Sequence, residues 1–536
     1  MKSPPKPIHN VRHVTDIIGE WGLWQLNVVM FALSCNIFLA FHTLSVSFYA
    51  PTTSYWCSDN NNNNNDDDDG TGAANIGNQT LKSTDYYCLN GCQNWTFDKS
   101  VFKSTIIDEW HLICGHQELS SVSQSLHMLG HGLGAIIFGY LSARFGRKPV
   151  LWVTIILEML AGLSSALSVN VIHFTLSRLV LGMATNGRYL TSFILVTESV
   201  GPKYRATLGL CFHLGWALGY CLLPGIAYLL PNFRHMILVT SIPEILWIVW
   251  LYWIPESPRW LITECKWDRL EPVLKRAVHM NSLPISDFPG QFQSLKKYYI
   301  GDDKKQIKSD NNNNNKKKSY IWDVLKSPNL RRTTLIMYFT WFVNAFVYFG
   351  ISLNIGDFGF NLFINFLIAG LLEIPSSLLP IIAINYMGRR PLTAGLMYSS
   401  GLSCLAIIPL LMMSTEWPRV TIALIGKFFI TSSYAVIYPY AAEIYPTVVR
   451  QVGLGSCSVA SSLGCIIAPF VKDVSLSTGM NVVLYILGGL SIVDGVSIHF
   501  LPETRGKQIA DTIAEAEQFN MRPIIITITT TTSTST

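Results

Sequence analysis

Charged residues are scarce in this chain of 536 residues. Aspartate, glutamate, lysine and arginine make up 14% of it, whereas soluble domains contain about 25%. The hydrophobic content, in contrast, is 49%. A chain this poor in charge cannot cover a large apolar core with a water-compatible surface. We therefore expect an all-α polytopic membrane protein that is embedded in the lipid bilayer.

Motifs that would indicate chemistry are also missing. There is no Walker sequence or other nucleotide-binding loop, which disfavours transport driven directly by ATP. No metal-ligand cluster, nucleophile elbow or pair of catalytic carboxylates stands out, so we expect neither an enzyme nor a cofactor. The net charge of +5 does not indicate a nucleic-acid partner, because most cations fall in short loops between apolar stretches.

Twelve apolar stretches follow one another, and each has the roughly 20 residues that a helix needs to cross the hydrocarbon core. The first is too long for the apolar part of a signal peptide and lacks a small-residue cleavage site, so it reads as an uncleaved anchor. The predicted spans are residues 23–48, 120–142, 149–169, 172–198, 206–230, 234–254, 333–355, 361–386, 391–413, 418–441, 452–472 and 479–501.

The cations between these stretches are concentrated on one side. Arg144, Arg147 and Lys148 lie between spans 2 and 3, Arg389 between spans 8 and 9, and Arg450 between spans 10 and 11. The short loops on the other side carry one cation or none. Lysine and arginine favour the cytoplasmic side of a membrane. Both termini are therefore predicted to be cytoplasmic.

Three sequence markers recur in the same order, at offsets of 242 to 247 residues. They are a Gly-Arg pair beginning at Gly146 and Gly388, a Glu-to-Arg spacing of seven beginning at Glu198 and Glu443, and a Pro-Glu pair at residues 255 and 502. This repetition predicts two homologous six-helix halves. The predicted units are residues 1–22, 23–254 with an outer loop at 49–119, a cytoplasmic middle segment at 255–332, 333–501, and a cytoplasmic tail at 502–536.

The predicted outer loop is rich in cysteine. Clustered cysteines in an extracytoplasmic loop favour two disulfides, with three pairings open, whereas a cytosolic loop would keep free thiols. Asn78 and Asn94 each begin an Asn-x-Thr sequence, which is a glycosylation acceptor if the loop is lumenal. The four cysteines of the loop are Cys57, Cys88, Cys92 and Cys114.

Acidic and basic residues recur at the span ends on the predicted cytoplasmic side. Ion pairs among them would hold that side shut while a central cavity faces outward, and would part when the cavity opens inward. The alternative is that these charges only set the topology. We refer to them as the gate residues: Arg144, Arg147, Glu198, Arg205, Glu256, Arg259, Arg389, Glu443, Arg450 and Glu503.

Five stretches carry a family resemblance: Ser104–Cys114, Val200–Arg205, Ile254–Leu261, Glu443–Arg450 and Ile466–Phe470. On these, the chain resembles the organic cation transporter family of the major facilitator superfamily, which also includes organic anion and carnitine carriers. The resemblance runs from residue 12 to residue 517. It implies the major facilitator fold, alternating access between two halves, a plasma-membrane location and a small organic ion as substrate.

The resemblance also implies which side chains line a substrate cavity. Aromatic faces attract organic cations, by about 0.5–2 kcal/mol each, although each ring could instead serve only to pack helices. Glu373 matches a glutamate of the family's cavity, whereas Ser462 stands where many cation carriers have aspartate and anion or carnitine carriers have arginine. Ser462 therefore leaves the substrate charge undecided. The predicted substrate-binding residues are Tyr189, Phe212, Trp216, Trp341, Tyr348, Glu373, Tyr434, Tyr438 and Ser462, with Arg188 as a further candidate.

Arg188 is unusual because it lies in the middle of span 4, where the family usually has a neutral side chain. An arginine at the bilayer centre costs about 2.5 kcal/mol or more unless it has a partner. Two interpretations stay open. It contacts an anionic substrate group, or it pairs with a buried acid such as Glu158, Glu244 or Asp494.

The first functional hypothesis is a facilitator or exchanger of small organic cations or carnitine-like zwitterions. The second is an organic anion carrier that uses Arg188. The third, of another class, is a non-transporting receptor or scaffold. It is supported by departures from the family's gate motifs at Ala143 and Asn385, where the family usually has charged residues.

Overall fold

The computed structural model of the chain describes residues 11, 13–57, 74–76, 79–81, 94–312, 326–412, 415–446, 449–506, 513, 515 and 517. Cys88, Cys92 and Asn78 lie outside these residues. Cys114 is disulfide-bonded and Asn94 is exposed, while the pairing of the cysteines and the glycosylation of the loop stay predictions.

In the described part of the chain, twelve long helices form the body of the molecule, and they are numbered here as spans 1 to 12. The helix Pro202–Leu229, with 28 residues, is span 5. Eleven further helical segments in the described part of the chain are long and apolar enough to cross a membrane: Leu23–Tyr49, Cys114–Phe145, Arg147–Ala166, Val171–Ser199, Phe233–Trp253, Pro328–Leu353, Leu362–Ile384, Arg389–Met412, Trp417–Ile444, Val452–Thr478 and Met480–Ile498.

Four spans begin or end at least four residues away from the sequence prediction. Span 2 begins at Cys114 rather than 120, and span 5 begins at Pro202 rather than 206. Span 7 begins at Pro328 rather than 333, because proline fits the first turn of a helix and the turn can form from polar residues. Span 11 continues to Thr478 through a 3-10 turn at Ala468–Phe470, where Pro469 interrupts the α-helical hydrogen bonding. A similar turn at Ile242–Glu244 divides span 6.

The shorter elements lie outside the spans. The strands Tyr55–Cys57 and Trp95–Phe97 pair antiparallel, as do Ala74–Ile76 and Gln79–Leu81. The helices outside the spans are Val14–Ile18, Ile106–Glu109, Pro258–Thr263 and Trp267–Met280, which are short, and Phe288–Asn312, which has 25 residues.

The described residues of the segment before span 1 pack against the middle segment. Val14 and Ile17 are buried against Leu270 and Leu274 of the middle segment, in a small core separate from that of the spans. The side chain of Asn281 donates to the carbonyl of Ile18 at 2.7 Å and accepts from the backbone N–H of Trp24 at 3.0 Å. The predicted boundary at residue 22 therefore divides residues that pack together.

Spans 2 and 4 pack so closely that their backbones touch. A Cβ atom added at Gly134 of span 2 would lie 2.2 Å from the carbonyl oxygen of Met183, and one added at Gly130 would lie 2.2 Å from that of Leu179. Small residues permit such contacts, which are a main source of helix association in membranes. This contact fixes span 4 within the first half.

We expect Gly134→Ala to lower the unfolding free energy by about 1–3 kcal/mol, because the new methyl group overlaps backbone that cannot move away. The matched control is Gly139→Ala on the same helix, where the added atom meets only a leucine methyl group at 3.4 Å. Thermal unfolding of the detergent-solubilised protein measures both. Equal melting temperatures for the two variants would contradict the packing described here.

Candidate functional site

A cavity of about 240 Å³ lies between the two halves. It is lined by spans 1, 2, 4 and 5 of the first half and by spans 7, 8, 10 and 11 of the second. Seven of the predicted substrate-binding residues line it: Tyr189, Trp216, Tyr348, Glu373, Tyr434, Tyr438 and Ser462.

Glu373 of span 8 anchors a hydrogen-bonded chain in the cavity wall. Its Oε1 accepts from the Tyr348 hydroxyl at 2.9 Å, and that hydroxyl accepts from the Trp216 indole N–H at 3.1 Å. Trp216 belongs to the first half and Tyr348 to the second. The chain therefore joins the halves at the level of the cavity.

Lys427 of span 10 is a candidate site residue that the sequence reasoning missed. Its Nζ lies 2.5 Å from Oε1 of Glu373 and 3.2 Å from the Ser352 hydroxyl, and the side chain is only 1% exposed. The ammonium also lies 4.6 Å and 4.7 Å from the ring centres of Tyr348 and Tyr220. A lysine inside an apolar span was the available signal, since such residues are rare and functional. The Glu373 charge is thus neutralised in this state.

Aromatic rings continue along the cavity wall toward the predicted cytoplasmic side. The ring of Tyr434 lies 5.9 Å from that of Tyr348 and 5.9 Å from that of Tyr438. Trp341, in contrast to the other predicted aromatic residues that the structure describes, does not line the cavity. It is 2% exposed and packs its ring 4.5 Å behind Tyr438, as a support for the wall.

Arg188 does not line the cavity either. Its Nε and Nη2 donate to the two carboxylate oxygens of Glu158 at 2.5 and 2.6 Å, and its Nη1 donates to the carbonyl of Cys35 at 3.0 Å. Of the two open interpretations, the structure shows the buried ion pair. The side chain of Phe212 lies outside the described residues.

Polar residues that the sequence reasoning did not select also face the cavity. They have no motif that distinguishes them from other polar residues in apolar spans, and only the fold brings them together. They are Asn36, Thr43, His131, Asn186, His213, Ser377, Thr431, Ser458 and Ser461.

The gate residues form one arrangement twice. In the first half, Arg147 donates to Glu198 at 2.7 Å, while Glu256 accepts the backbone N–H of Arg147 at 2.8 Å. In the second half, Arg389 donates to Glu443 at 2.8 Å. The backbone N–H groups of Arg389 and Arg390 both donate to Glu503 at 3.1 Å.

These ion pairs lie within each half rather than between the halves. They tie the turn between two spans to the ends of spans 4 and 6, or 10 and 12. The contacts of Glu198 and Glu443 with the Gly-Arg turns of their own halves are present, and the gate role of these residues stays a prediction. Burial raises the pKa of Glu256. Burial acts on Glu503 in the same direction, but four backbone N–H donors outweigh it and lower the pKa of Glu503.

The remaining gate residues have other surroundings. Arg144 is exposed and donates to the Tyr140 hydroxyl at 3.4 Å, and Arg259 is exposed. Arg450 donates to the carbonyl of Tyr445 at 3.3 Å. The side chain of Arg205 lies outside the described part of the chain.

Hydrogen bonds join the halves at the predicted outer face. In five of these hydrogen bonds a side chain of one half donates to the other half, at 2.6–3.3 Å. The donors and acceptors are Ser47 and the Leu353 carbonyl, Thr52 and the Asp357 carboxylate, Ser121 and the Pro469 carbonyl, Ser125 and the Ile466 carbonyl, and Lys472 and the Ala50 carbonyl. At the other end of the cavity, Tyr438 is 46% exposed. The cavity is therefore closed on the outer side and reached from the predicted cytoplasmic side.

Comparison with known proteins agrees with the family resemblance found in the sequence. The profile of the family described as "Sugar (and other) transporter" matches residues 28–514. The "Organic cation transporter protein" of Drosophila melanogaster is 32% identical over 524 residues, which cover 94% of each chain. The chain belongs to the organic cation transporter family of the major facilitator superfamily.

A further relative and a solved structure extend the likeness. "Solute carrier family 22 member 2" of Mus musculus is 31% identical over 433 residues, covering 80% of this chain and 75% of that protein. The inward-open xylose transporter XylE from E. coli superposes with a TM-score of 0.62 at 17% identity, over 90% of this chain and 98% of that one. The second comparison confirms the predicted fold, and the transporter is a multi-pass membrane protein.

The contribution of the Glu373–Lys427 pair to the free energy of unfolding can be tested. Glu373→Gln leaves the Lys427 ammonium buried without a carboxylate, so we expect a loss of about 3–5 kcal/mol in unfolding free energy. Adding Lys427→Met to that variant should restore most of it, because two neutral groups need no counter-charge.

Thermal unfolding of the purified protein measures the pair and its double-mutant cycle. Glu271→Gln, the same change on an exposed helix of the middle segment, serves as the control and should be neutral. A double variant no more stable than Glu373→Gln alone would contradict the pairing.

Proposed function

We propose that this transporter carries small organic cations or zwitterions across the plasma membrane by alternating access, with both termini cytoplasmic. The observation that carries the proposal is the Glu373 carboxylate placed among aromatic rings in a closed-ended cavity. The relatives are named as organic cation transporters, which supports the same substrate class.

The charges of the cavity favour a substrate with a positive group. An ammonium that enters can replace Lys427 as the partner of Glu373, because the two compete for one carboxylate. A zwitterion would gain at both ends, since its carboxylate would meet the Lys427 ammonium as its cation meets Glu373. Such paired contacts in a site of low dielectric constant are stronger than the same contacts in water.

The rings supply the rest of the site. Tyr348, Tyr434 and Tyr438 offer adjacent faces, and each face attracts an organic cation by about 0.5–2 kcal/mol. A cavity of about 240 Å³ is smaller than most sites for drug-sized ligands. The substrate is therefore expected to be small.

An organic anion carrier is the second candidate, and one observation favours it. Lys427 lies behind the cavity wall in contact with Glu373, and it would attract an anion if Glu373 were protonated. Arg188, on which the sequence reasoning rested this candidate, is committed to Glu158. The receptor hypothesis loses part of its support, because Arg147–Glu198 and Arg389–Glu443 pair despite the changed motifs at Ala143 and Asn385.

Uptake of labelled tetraethylammonium, carnitine and para-aminohippurate into cells that express the protein tests the proposal. We expect uptake of tetraethylammonium or carnitine, and a decrease of about tenfold or more in Tyr434→Ala, since losing about 1.4 kcal/mol of cation binding lowers affinity tenfold. Tyr434→Ala is chosen because it leaves the Glu373–Lys427 pair intact.

Glu271→Gln and surface biotinylation control for expression. Uptake of the hippurate alone would replace the proposal with the anion carrier. Absence of all three uptakes, with the protein at the cell surface, would contradict transport of these substrate classes.

A further inference from the structure

A pocket of about 700 Å³ lies at the predicted cytoplasmic end of the first half. It is lined by the adjoining ends of spans 2 and 3 and by the segment that follows span 6, including the helix Trp267–Met280. We name it the second pocket. None of its lining residues belongs to the substrate cavity, and the proposed function assigns it no role.

Three cations line the second pocket. Arg269 and Arg276 are two turns apart on the helix Trp267–Met280, so both lie on one face of it. Both are exposed, and neither has a hydrogen bond or an ion pair with another residue that the structure describes. Lys148, at the start of span 3, lies near enough to Arg276 for the two charges to repel each other. The pocket therefore concentrates positive charge contributed by two separate elements.

One carboxylate, that of Glu256, also lines the second pocket. Its Oε1 accepts the backbone N–H of Arg147 at 2.8 Å, and its two oxygens lie 3.3 and 3.2 Å from the backbone nitrogen of Lys148. Glu256 thus occupies the N-terminus of span 3. Three cations against one carboxylate leave two positive charges in excess, and this excess favours an anionic ligand.

The kind of cation and the size of the pocket indicate phosphate groups. A guanidinium group presents its N–H donors in a planar fork that matches the oxygens of a phosphate. The second pocket offers two such forks and one ammonium group. A single phosphodiester would neutralise only one of the two excess charges, so a headgroup with several phosphates, such as a phosphorylated inositol, fits the charge better.

The remaining lining of the second pocket is apolar and lies at the ends of the spans, with Phe145 and Trp152 among its residues. Phe145 is exposed, and so are Val153 of span 3 and Val249 of span 6, which lie farther along the same part of the molecule. Aromatic residues are enriched where the hydrocarbon of a membrane meets the headgroups. A free phosphate compound would leave this apolar surface uncovered, whereas the acyl chains of a lipid would cover it.

We propose that the second pocket binds the headgroup of a phosphorylated inositol lipid from the cytoplasmic leaflet, with the acyl chains along spans 3 and 6. Anionic lipids give this leaflet a negative surface that attracts clustered lysine and arginine. The inference goes beyond the proposed function and uses from it only the cytoplasmic location of the middle segment.

The bound headgroup would connect two elements of the protein, because Lys148 belongs to span 3 and the two arginines belong to the middle segment. The opposite face of the helix Trp267–Met280 is already fixed, since Leu270 and Leu274 are buried in the small core near the N-terminus. A lipid in the second pocket therefore holds the remaining face of this helix against the spans. We expect it to stabilise the middle segment.

Native mass spectrometry of the full chain in detergent tests the site, with dioctanoyl phosphatidylinositol bisphosphate as the probe. We expect the native protein to bind one such lipid with high affinity. The double variant Arg269→Gln/Arg276→Gln should bind it about tenfold or more weakly, because each cation near the membrane surface contributes to binding of anionic lipid. Equal affinity of the two proteins would overturn the proposal.

Lys275→Gln is the matched control, because Lys275 is an exposed cation of the same helix that does not line the pocket. It should bind the probe as the native protein does. Thermal unfolding gives a second readout. The probe should raise the melting temperature of the native protein and of Lys275→Gln, but not that of the double variant. An equal rise in all three proteins would contradict the site.

Two further probes separate the parts of the ligand. Inositol trisphosphate has the phosphates without acyl chains, and dioctanoyl phosphatidylserine has the chains with a single phosphate. Both should bind more weakly than the bisphosphate lipid. Equally tight binding of the trisphosphate would overturn the lipid in favour of a soluble inositol phosphate, and equally tight binding of phosphatidylserine would overturn the selection for several phosphates. None of these measurements involves uptake, so their failure is distinguishable from failure of the proposed transport.

Discussion

An ionised side chain inside the membrane costs about 2.5 kcal/mol or more unless a group of opposite charge touches it. Two buried ion pairs in this transporter avoid that cost. Arg188 and Glu158 join spans 4 and 3, and Lys427 and Glu373 join spans 10 and 8. Because each pair connects two helices, satisfying the charges also decides which helices are neighbours.

The repeated and unrepeated parts of the chain serve different purposes. At the span ends, Arg147, Glu198 and Glu256 of the first half have counterparts in Arg389, Glu443 and Glu503 of the second, with nearly equal distances. In the interior this symmetry is lost. The first half buries Arg178, Arg188, Glu158 and Glu244 away from the cavity, whereas the second half places the Glu373–Lys427 pair beside it. The arrangement of charged residues at the span ends is common to both halves, whereas the buried charged residues of the interior differ between them.

Most of the spans and turns could be predicted from the sequence, because they depend on short-range patterns. Apolar stretches of the right length predict spans, and the Gly-Arg and Pro-Glu markers predict the duplicated turns. The contacts of the candidate site could be predicted from the sequence only in part. Arg188 had three acids as available partners, and only the side-by-side packing of spans 3 and 4 selects Glu158. Lys427 and Glu373 are 54 residues apart in sequence, and no periodicity relates residues at that distance.

The closure of the outer face has a consequence for how the transporter opens. Four of its five hydrogen bonds run from a single side chain to a main-chain carbonyl of the opposite half, as from Ser125 to Ile466. Each such bond contributes about 0.5–1.5 kcal/mol net, because water can replace it. Together they amount to a few kcal/mol, which is comparable to the differential affinity that reverses a two-state equilibrium. The binding of one small ligand can therefore offset the contribution of these five hydrogen bonds to the closed outer face.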